Sequence, residues 1–128
     1  MDVKVLVVDD SEDARFLLRK RLDQKRQFKI VGEAGDGAEA LTRIEELQPD
    51  LVIMDVRMPG MDGVEATKQI RDRFPRVSVL AYSAFGDEDQ MNAMREAGAV
   101  GYVLKDAPAE ELILRLQDSF VGDGPISR

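Results

Sequence analysis

The chain has 128 residues, a length that suits one domain with its own hydrophobic core. Hydrophobic residues make up 44% and charged residues 34% of the chain, which is typical of a globular protein rather than a disordered or fibrous one. Cysteine and histidine are both absent, which excludes disulfides, thiol nucleophiles and imidazole bases or metal ligands. The formal charge of −7 argues against direct binding of this chain to a nucleic acid backbone.

The first residues carry neither the basic region nor the apolar region of a signal peptide. Moreover, no stretch of the chain approaches the roughly 18 consecutive apolar residues that a transmembrane helix needs. We therefore expect a cytoplasmic protein that has no membrane partner.

Short apolar runs alternate along the chain with stretches of helical periodicity. Strands are predicted at Val3 to Val8, Phe28 to Val31, Leu51 to Met54, Val77 to Ala81 and Tyr102 to Leu104. Helices are predicted around Ala14 to Leu22, Ala38 to Ile44, Ala66 to Phe74, Met91 to Met94 and Leu112 to Phe120. Asp36, Asp62 and Asp87 are each followed three residues later by Glu or Gln, a pattern that marks a helix start. The alternation predicts a doubly wound α/β fold, with a five-stranded parallel sheet between two layers of helices.

Polar residues stand where four of the predicted strands end. The first strand ends in Asp9 and Asp10, the third in Asp55, the fourth in Ser83 and the fifth in Lys105. Because the carboxyl ends of parallel strands lie at one edge of a sheet, we expect these side chains to converge there. Two carboxylates about 5 Å apart repel each other by about 3 kcal/mol at an effective dielectric constant near 20, so such an edge requires compensation.

A divalent cation would offset this repulsion. Mg²⁺ binds carboxylate, carbonyl, water and phosphate oxygens, and Mn²⁺ is a possible substitute. Lys105 offers a positive charge and Ser83 a hydroxyl group to the oxygens of a phosphoryl group. Each of these residues alone has an ordinary explanation as a helix cap, a turn residue or a solvated side chain. Their joint placement at four strand ends favours a site for a phosphorylated carboxylate.

Four motifs resemble those of response regulator receiver domains: VVDDSE, VIMDVRMPGMDG, LAYSAF and GYVLKDA. The resemblance extends over residues 1–121 and implies a (βα)₅ sheet of the flavodoxin-like type. It implies that Asp55 accepts a phosphoryl group from the phosphohistidine of a sensor histidine kinase or phosphotransfer protein. Such a protein is a signalling switch rather than an enzyme with a substrate of its own.

The resemblance also implies a role for the other side chains at this edge. Lys105 and Ser83 would contact the phosphoryl group on Asp55. We predict that Ser83 and Tyr102 form a switch, in which the hydroxyl group moves toward the phosphoryl group and the Tyr102 ring turns into the vacated space. The implied metal ligands are Asp9 (through a water), Asp10, Asp55 and the backbone carbonyl of Arg57.

The sequence departs from many receivers at Asp106, where a proline preceded by a cis peptide is common. The motif KDA at this place resembles receivers that precede a LuxR-type helix-turn-helix domain. In the last residues, VGDGPISR, Gly122 suits a helix C-cap and Pro125 cannot continue a helix. We therefore expect a receiver at 1–121, the start of a linker at 122–128, and a DNA-binding domain beyond Arg128.

This interpretation predicts a homodimer that forms on phosphorylation and contacts DNA only through the further domain. One alternative is a stand-alone receiver that acts by docking to another protein. Another is a phosphatase of the haloacid dehalogenase type, which also uses an aspartate and Mg²⁺. That family begins its pattern with two aspartates separated by one residue, whereas Asp9 and Asp10 are adjacent.

Overall fold

Five parallel strands form one sheet, and helices pack on both of its faces. The structure is a computed structural model and describes residues 2–23 and 25–121. Its elements in chain order are β1 (Val3–Val8), α1 (Glu12–Leu22), β2 (Phe28–Ala34), α2 (Gly37–Leu47), β3 (Leu51–Met54), α3 (Gly63–Arg73), β4 (Ser78–Ser83), α4 (Glu88–Ala97), β5 (Gly101–Leu104) and α5 (Ala109–Val121). The strands lie in the order β2-β1-β3-β4-β5. The predicted doubly wound α/β fold is confirmed.

Strand bounds differ from the predicted ones mainly at β2 and β4. Strand β2 continues three residues beyond Val31, because Gly32, Glu33 and Ala34 pair with the apolar end of β1. A glycine and a glutamate conceal a strand from a search for apolar runs. Strand β4 reaches Ser83, so that the predicted site residue is itself the last residue of the strand.

The core is divided into two clusters by the sheet. Alternate side chains of β1 point in opposite directions, so Val5 and Val7 pack beneath α1 and α5, whereas Leu6 and Val8 pack beneath α2, α3 and α4. Every residue from Val5 to Val8 is almost completely buried. Burial on both faces explains the unbroken apolar run that precedes Asp9.

The predicted helix starts are also found. The side chains of Asp36 and Asp62 accept hydrogen bonds from the backbone nitrogens of Glu39 and Glu65, at 2.8 and 2.9 Å. Asp87 caps α4 through the nitrogen of Asp89 at 2.8 Å. These caps fix the loops that connect the carboxyl ends of the strands to the following helices.

Several predictions concern features outside the sheet. Residues 122–128, predicted as a linker, lie outside the described residues. The described residues contain no cis peptide bond, so the Lys105–Asp106 peptide is trans. None of the helices within 2–23 and 25–121 is long and apolar enough to cross a bilayer.

Candidate functional site

Three carboxylates meet at the carboxyl edge of the sheet. Oxygens of Asp9, Asp10 and Asp55 lie within 4.8 Å of one another. Strands β1 and β3 are neighbours in register, with Val8 opposite Met54, so the residues that follow them emerge side by side. The exposed fraction is only 4% for Asp9 and 7% for Asp55, while Asp10 is exposed. Two of the three charges are therefore largely removed from water.

Lys105 brings a positive charge to this cluster from the end of β5. Its Nζ lies 2.5 Å from an oxygen of Asp9 and 3.5 Å from an oxygen of Asp55. The second oxygen of Asp9 accepts a hydrogen bond from the Ser11 nitrogen at 2.9 Å. Three carboxylates and one ammonium give a formal charge of −3 + 1 = −2, which one divalent cation would neutralise.

The pKa values reflect this arrangement. Burial, together with the negative charge of Asp9, raises the pKa of Asp55 to about 6, although the nearby Lys105 ammonium acts in the opposite direction. Burial by itself lowers the pKa of Lys105, but the hydrogen bond to Asp9 and the charge of Asp55 outweigh it, so this pKa is raised. Lys105 therefore stays protonated, while burial makes it costly for Asp55 to carry its charge.

The donor set suits a hard cation. Closely spaced carboxylate oxygens with an open, exposed member are the ligands that Mg²⁺ takes together with water and phosphate oxygens. The start of α3 packs tightly beneath this site, since a Cβ at Gly63 would clash with the carbonyl oxygen of Asp55. The metal role of the Arg57 backbone carbonyl stays a prediction.

Ser83 and Tyr102 occupy the other half of the edge. Ser83 is buried, and its hydroxyl oxygen accepts a hydrogen bond from the Phe85 nitrogen at 3.2 Å. The Tyr102 hydroxyl group donates to the Phe85 carbonyl oxygen at 2.9 Å. Both side chains are thus bonded to the backbone of one loop residue. Within the described part of the chain, no hydrogen bond joins Ser83 to Asp55.

Three further contacts were not anticipated from the sequence. The Arg57 guanidinium lies 4.3 Å from the centre of the Phe85 ring, which joins the loop after β3 to the loop after β4. With the Gln90 amide oriented so that its oxygen faces Arg57, that oxygen also accepts hydrogen bonds from the guanidinium. On the opposite face of the sheet, Arg21 donates to Tyr82. Phe85, an apolar residue two positions after Ser83, was the signal for the contact with Arg57, whereas the contacts of Arg57 with Gln90 and of Arg21 with Tyr82 had none.

Comparisons with known proteins agree with this geometry. A family model described as the response regulator receiver domain matches residues 5–117. The transcriptional regulatory protein LiaR of Bacillus subtilis is 39% identical over 110 residues, which cover 86% of this chain and 52% of LiaR. The response regulator protein VraR of Staphylococcus aureus is 38% identical over 112 residues, which cover 88% of this chain and 54% of VraR. The chain thus spans about half the length of these curated relatives.

A solved structure supports the same assignment. The signal receiver domain of the putative response regulator NarL from Mycobacterium tuberculosis superposes with a TM-score of 0.89 at 34% identity. The superposition covers 95% of this chain and 98% of that one. The family model matches most of the chain, and the parallel sheet carries three acidic residues and a lysine at its carboxyl edge. The chain therefore belongs to the response regulator receiver domains of two-component systems.

Proposed function

We propose that Asp55 is the phosphoacceptor of this receiver domain and that the transfer requires Mg²⁺, held by Asp10, Asp55, the Arg57 backbone carbonyl and, through a water, Asp9. The observation that carries the proposal is the position of the Asp55 carboxylate, which lies within 4.8 Å of two other acids and 3.5 Å from the Lys105 ammonium. A phosphoryl group on Asp55 would carry about two negative charges, which Mg²⁺ and the Lys105 ammonium would both attract.

The transfer requires that the Asp55 carboxyl group be ionised. With a pKa of about 6, about nine in ten Asp55 side chains carry the negative charge at pH 7. A carboxylate oxygen attacks the phosphorus of a phosphohistidine, a new P–O bond forms, the P–N bond breaks, and the released imidazole nitrogen takes up a proton. Mg²⁺, when bound, supplies positive charge to the phosphoryl oxygens, and Lys105 supplies a second cation.

Partners follow from the same chemistry. The donor is a sensor histidine kinase or a phosphotransfer protein in the cytoplasm, and no independent substrate is turned over. Phosphorylation changes the surface near Ser83 and Tyr102 and favours a homodimer. The two relatives above are named a transcriptional regulatory protein and a response regulator. We therefore infer that a DNA-binding domain accompanies this receiver in the whole protein; a receiver that acts by protein docking alone is the second candidate.

Labelling with a small phosphodonor tests the proposal directly. The protein is incubated with phosphoramidate with and without Mg²⁺, and its intact mass is measured, followed by peptide mapping. We expect a single, Mg²⁺-dependent phosphoryl group that maps to Asp55. Asp62→Asn, a change in the same loop between β3 and α3, is the matched control and should be labelled normally. Labelling at another residue, or labelling that is independent of Mg²⁺, would contradict the proposal.

A further inference from the structure

Arg21 joins helix α1 to both of the strands that bring Ser83 and Lys105 to the site. Its Nη1 donates to the hydroxyl oxygen of Tyr82 at 3.1 Å and to the carbonyl oxygen of Ala107 at 3.3 Å. Tyr82 directly precedes Ser83 on β4 and is only 6% exposed. Ala107 lies two residues after Lys105, in the turn between β5 and α5.

The turn that carries Lys105 is held at three points. The Lys105 nitrogen donates to the Ser83 carbonyl oxygen at 2.7 Å, and the Ala107 nitrogen donates to the Leu104 carbonyl oxygen at 3.1 Å. These two bonds fix the start of the turn and its internal geometry. The bond from Arg21 to the Ala107 carbonyl oxygen is the third, and it ties the end of the turn to α1. Loss of Arg21 would remove the side-chain hydrogen bond that ties the Ala107 carbonyl oxygen to α1.

The surroundings of Tyr82 place this contact close to the site. Burial raises the pKa of the Tyr82 phenol, while the positive charges of Arg21 and Lys105 act in the opposite direction. Both cations thus lie within electrostatic range of a neutral hydroxyl group. In the part of the chain that the structure describes, no carboxylate forms an ion pair with Arg21. Its guanidinium is committed to two neutral acceptors rather than to a surface ion pair.

We propose that Arg21, acting through Tyr82 and Ala107, is a positioning residue that sets the reach of Lys105 toward a phosphoryl group on Asp55. The inference rests on the proposed function of Asp55. The four-carbon stem of a lysine limits how far its ammonium can reach from the backbone, so a shift of the turn changes that reach. The Nζ of Lys105 lies 2.5 Å from an oxygen of Asp9 and 3.5 Å from an oxygen of Asp55, and displacement of the turn would change both distances.

The test uses Arg21→Met and Tyr82→Phe, with Mg²⁺ affinity and phosphoramidate labelling measured separately. With Mg²⁺ at saturation for each variant, we expect Arg21→Met to slow labelling by about tenfold, because the Lys105 ammonium reaches the phosphoryl group less well. Arg71→Met is the matched control, because Arg71 also donates to a backbone carbonyl, that of Glu96 at 3.1 Å, on the other face of the sheet. Equal rates for Arg21→Met and Arg71→Met would overturn the inference.

A double-mutant cycle separates positioning from a general loss of stability. In a Lys105→Ala background, Arg21→Met should slow labelling no further, because the group on which it acts is gone. Independent, multiplying effects would overturn the inference. If Arg21→Met does not fold, Tyr82→Phe takes its place, since it removes only one hydroxyl group. Its effect on the labelling rate is then measured with and without Lys105→Ala. Absence of labelling in the unmodified protein would instead refute the proposed function, so the two failures are distinguishable.

Discussion

The two halves of the carboxyl edge are stabilised in different ways. On the β1 and β3 side, Asp9 and Asp55 are buried next to each other and to a lysine, with their charges only partly balanced. On the β4 and β5 side, Ser83 and Tyr102 are satisfied by hydrogen bonds to the backbone of Phe85. The first half stores repulsion that a divalent cation can relieve. The second half is already satisfied and must exchange partners before it can respond.

Removal of the Asp55 carboxylate should have the largest effect, because it eliminates the nucleophile of the β1 and β3 side, here called the acidic half. Asp55→Asn is expected to abolish the phosphoryl mass gain from phosphoramidate, since an amide cannot form the acyl phosphate. Intact mass spectrometry in the presence of Mg²⁺ measures this. Full labelling of Asp55→Asn would contradict the assignment of the phosphoacceptor.

Removal of Lys105 should weaken the response to phosphate more than it harms the fold. Lys105 lies at a strand end and belongs to neither core cluster, so Lys105→Ala leaves the apolar packing intact but takes one cation away from the phosphoryl group. We expect a loss of about tenfold to a hundredfold in labelling rate, the effect of one hydrogen bond to a charged group.

Lys68→Ala, on the exposed surface of α3, is the matched control for Lys105→Ala. Thermal unfolding and phosphate-driven dimerisation are compared for both variants by calorimetry and light scattering. A large drop in the unfolding temperature of Lys105→Ala together with normal dimerisation would reverse the expected order of effects.

The burial of Asp55, together with repulsion from Asp9, predicts an unusual dependence of stability on pH in the absence of metal. The pKa of Asp55 is about 6 in the folded state and near 3.8 in the unfolded chain, so the folded state binds the proton more tightly. Stability from this group is therefore lost above pH 6 and regained as the pH falls. Between pH 7.5 and pH 5, the gain in the free energy of unfolding is about 1.4 kcal/mol.

Other groups titrate over the same range, so the effect of Asp55 is read as a difference between two proteins. Urea unfolding in EDTA at both pH values is measured for the unmodified protein and for Asp55→Asn. Asp55→Asn should lack the gain in the free energy of unfolding between pH 7.5 and pH 5. It should also be the more stable of the two proteins at pH 7.5, because it has one buried charge fewer. An equal gain in the free energy of unfolding in both proteins would show that the titration of Asp55 is not its source.

Sequence reasoning worked for the acidic half because its geometry follows from the sheet. An aspartate after each of two neighbouring parallel strands must appear at one edge, and β1 and β3 are such neighbours. The Ser83 half depends instead on the conformation of the loop around Phe85, which no periodic pattern encodes. The contacts of Arg21 could not be predicted for a similar reason. Its partners are 61 and 86 residues away, and neither Tyr82 nor Ala107 has an unusual sequence context.

The smallest effect is expected from Tyr102→Phe, on the β4 and β5 side of the edge. The change removes the bond of 2.9 Å to the Phe85 carbonyl oxygen and leaves the ring packed against the core. One such bond contributes about 1 kcal/mol, so stability should fall by that amount, and the ring should be released about fivefold more readily. We expect unphosphorylated Tyr102→Phe to dimerise more readily than the unmodified protein, with an unchanged rate of labelling at Asp55.

Tyr82→Phe provides the matched comparison, since it deletes the same group on the neighbouring strand. The Tyr82 hydroxyl accepts from Arg21 and does not contact Phe85, so its loss should slow labelling without promoting dimers. Analytical ultracentrifugation gives the dimer population, and intact mass gives the labelling rate. If both variants shift the same quantity, the two hydroxyl groups act on one equilibrium, and the separation between ring release at Tyr102 and positioning of Lys105 is wrong.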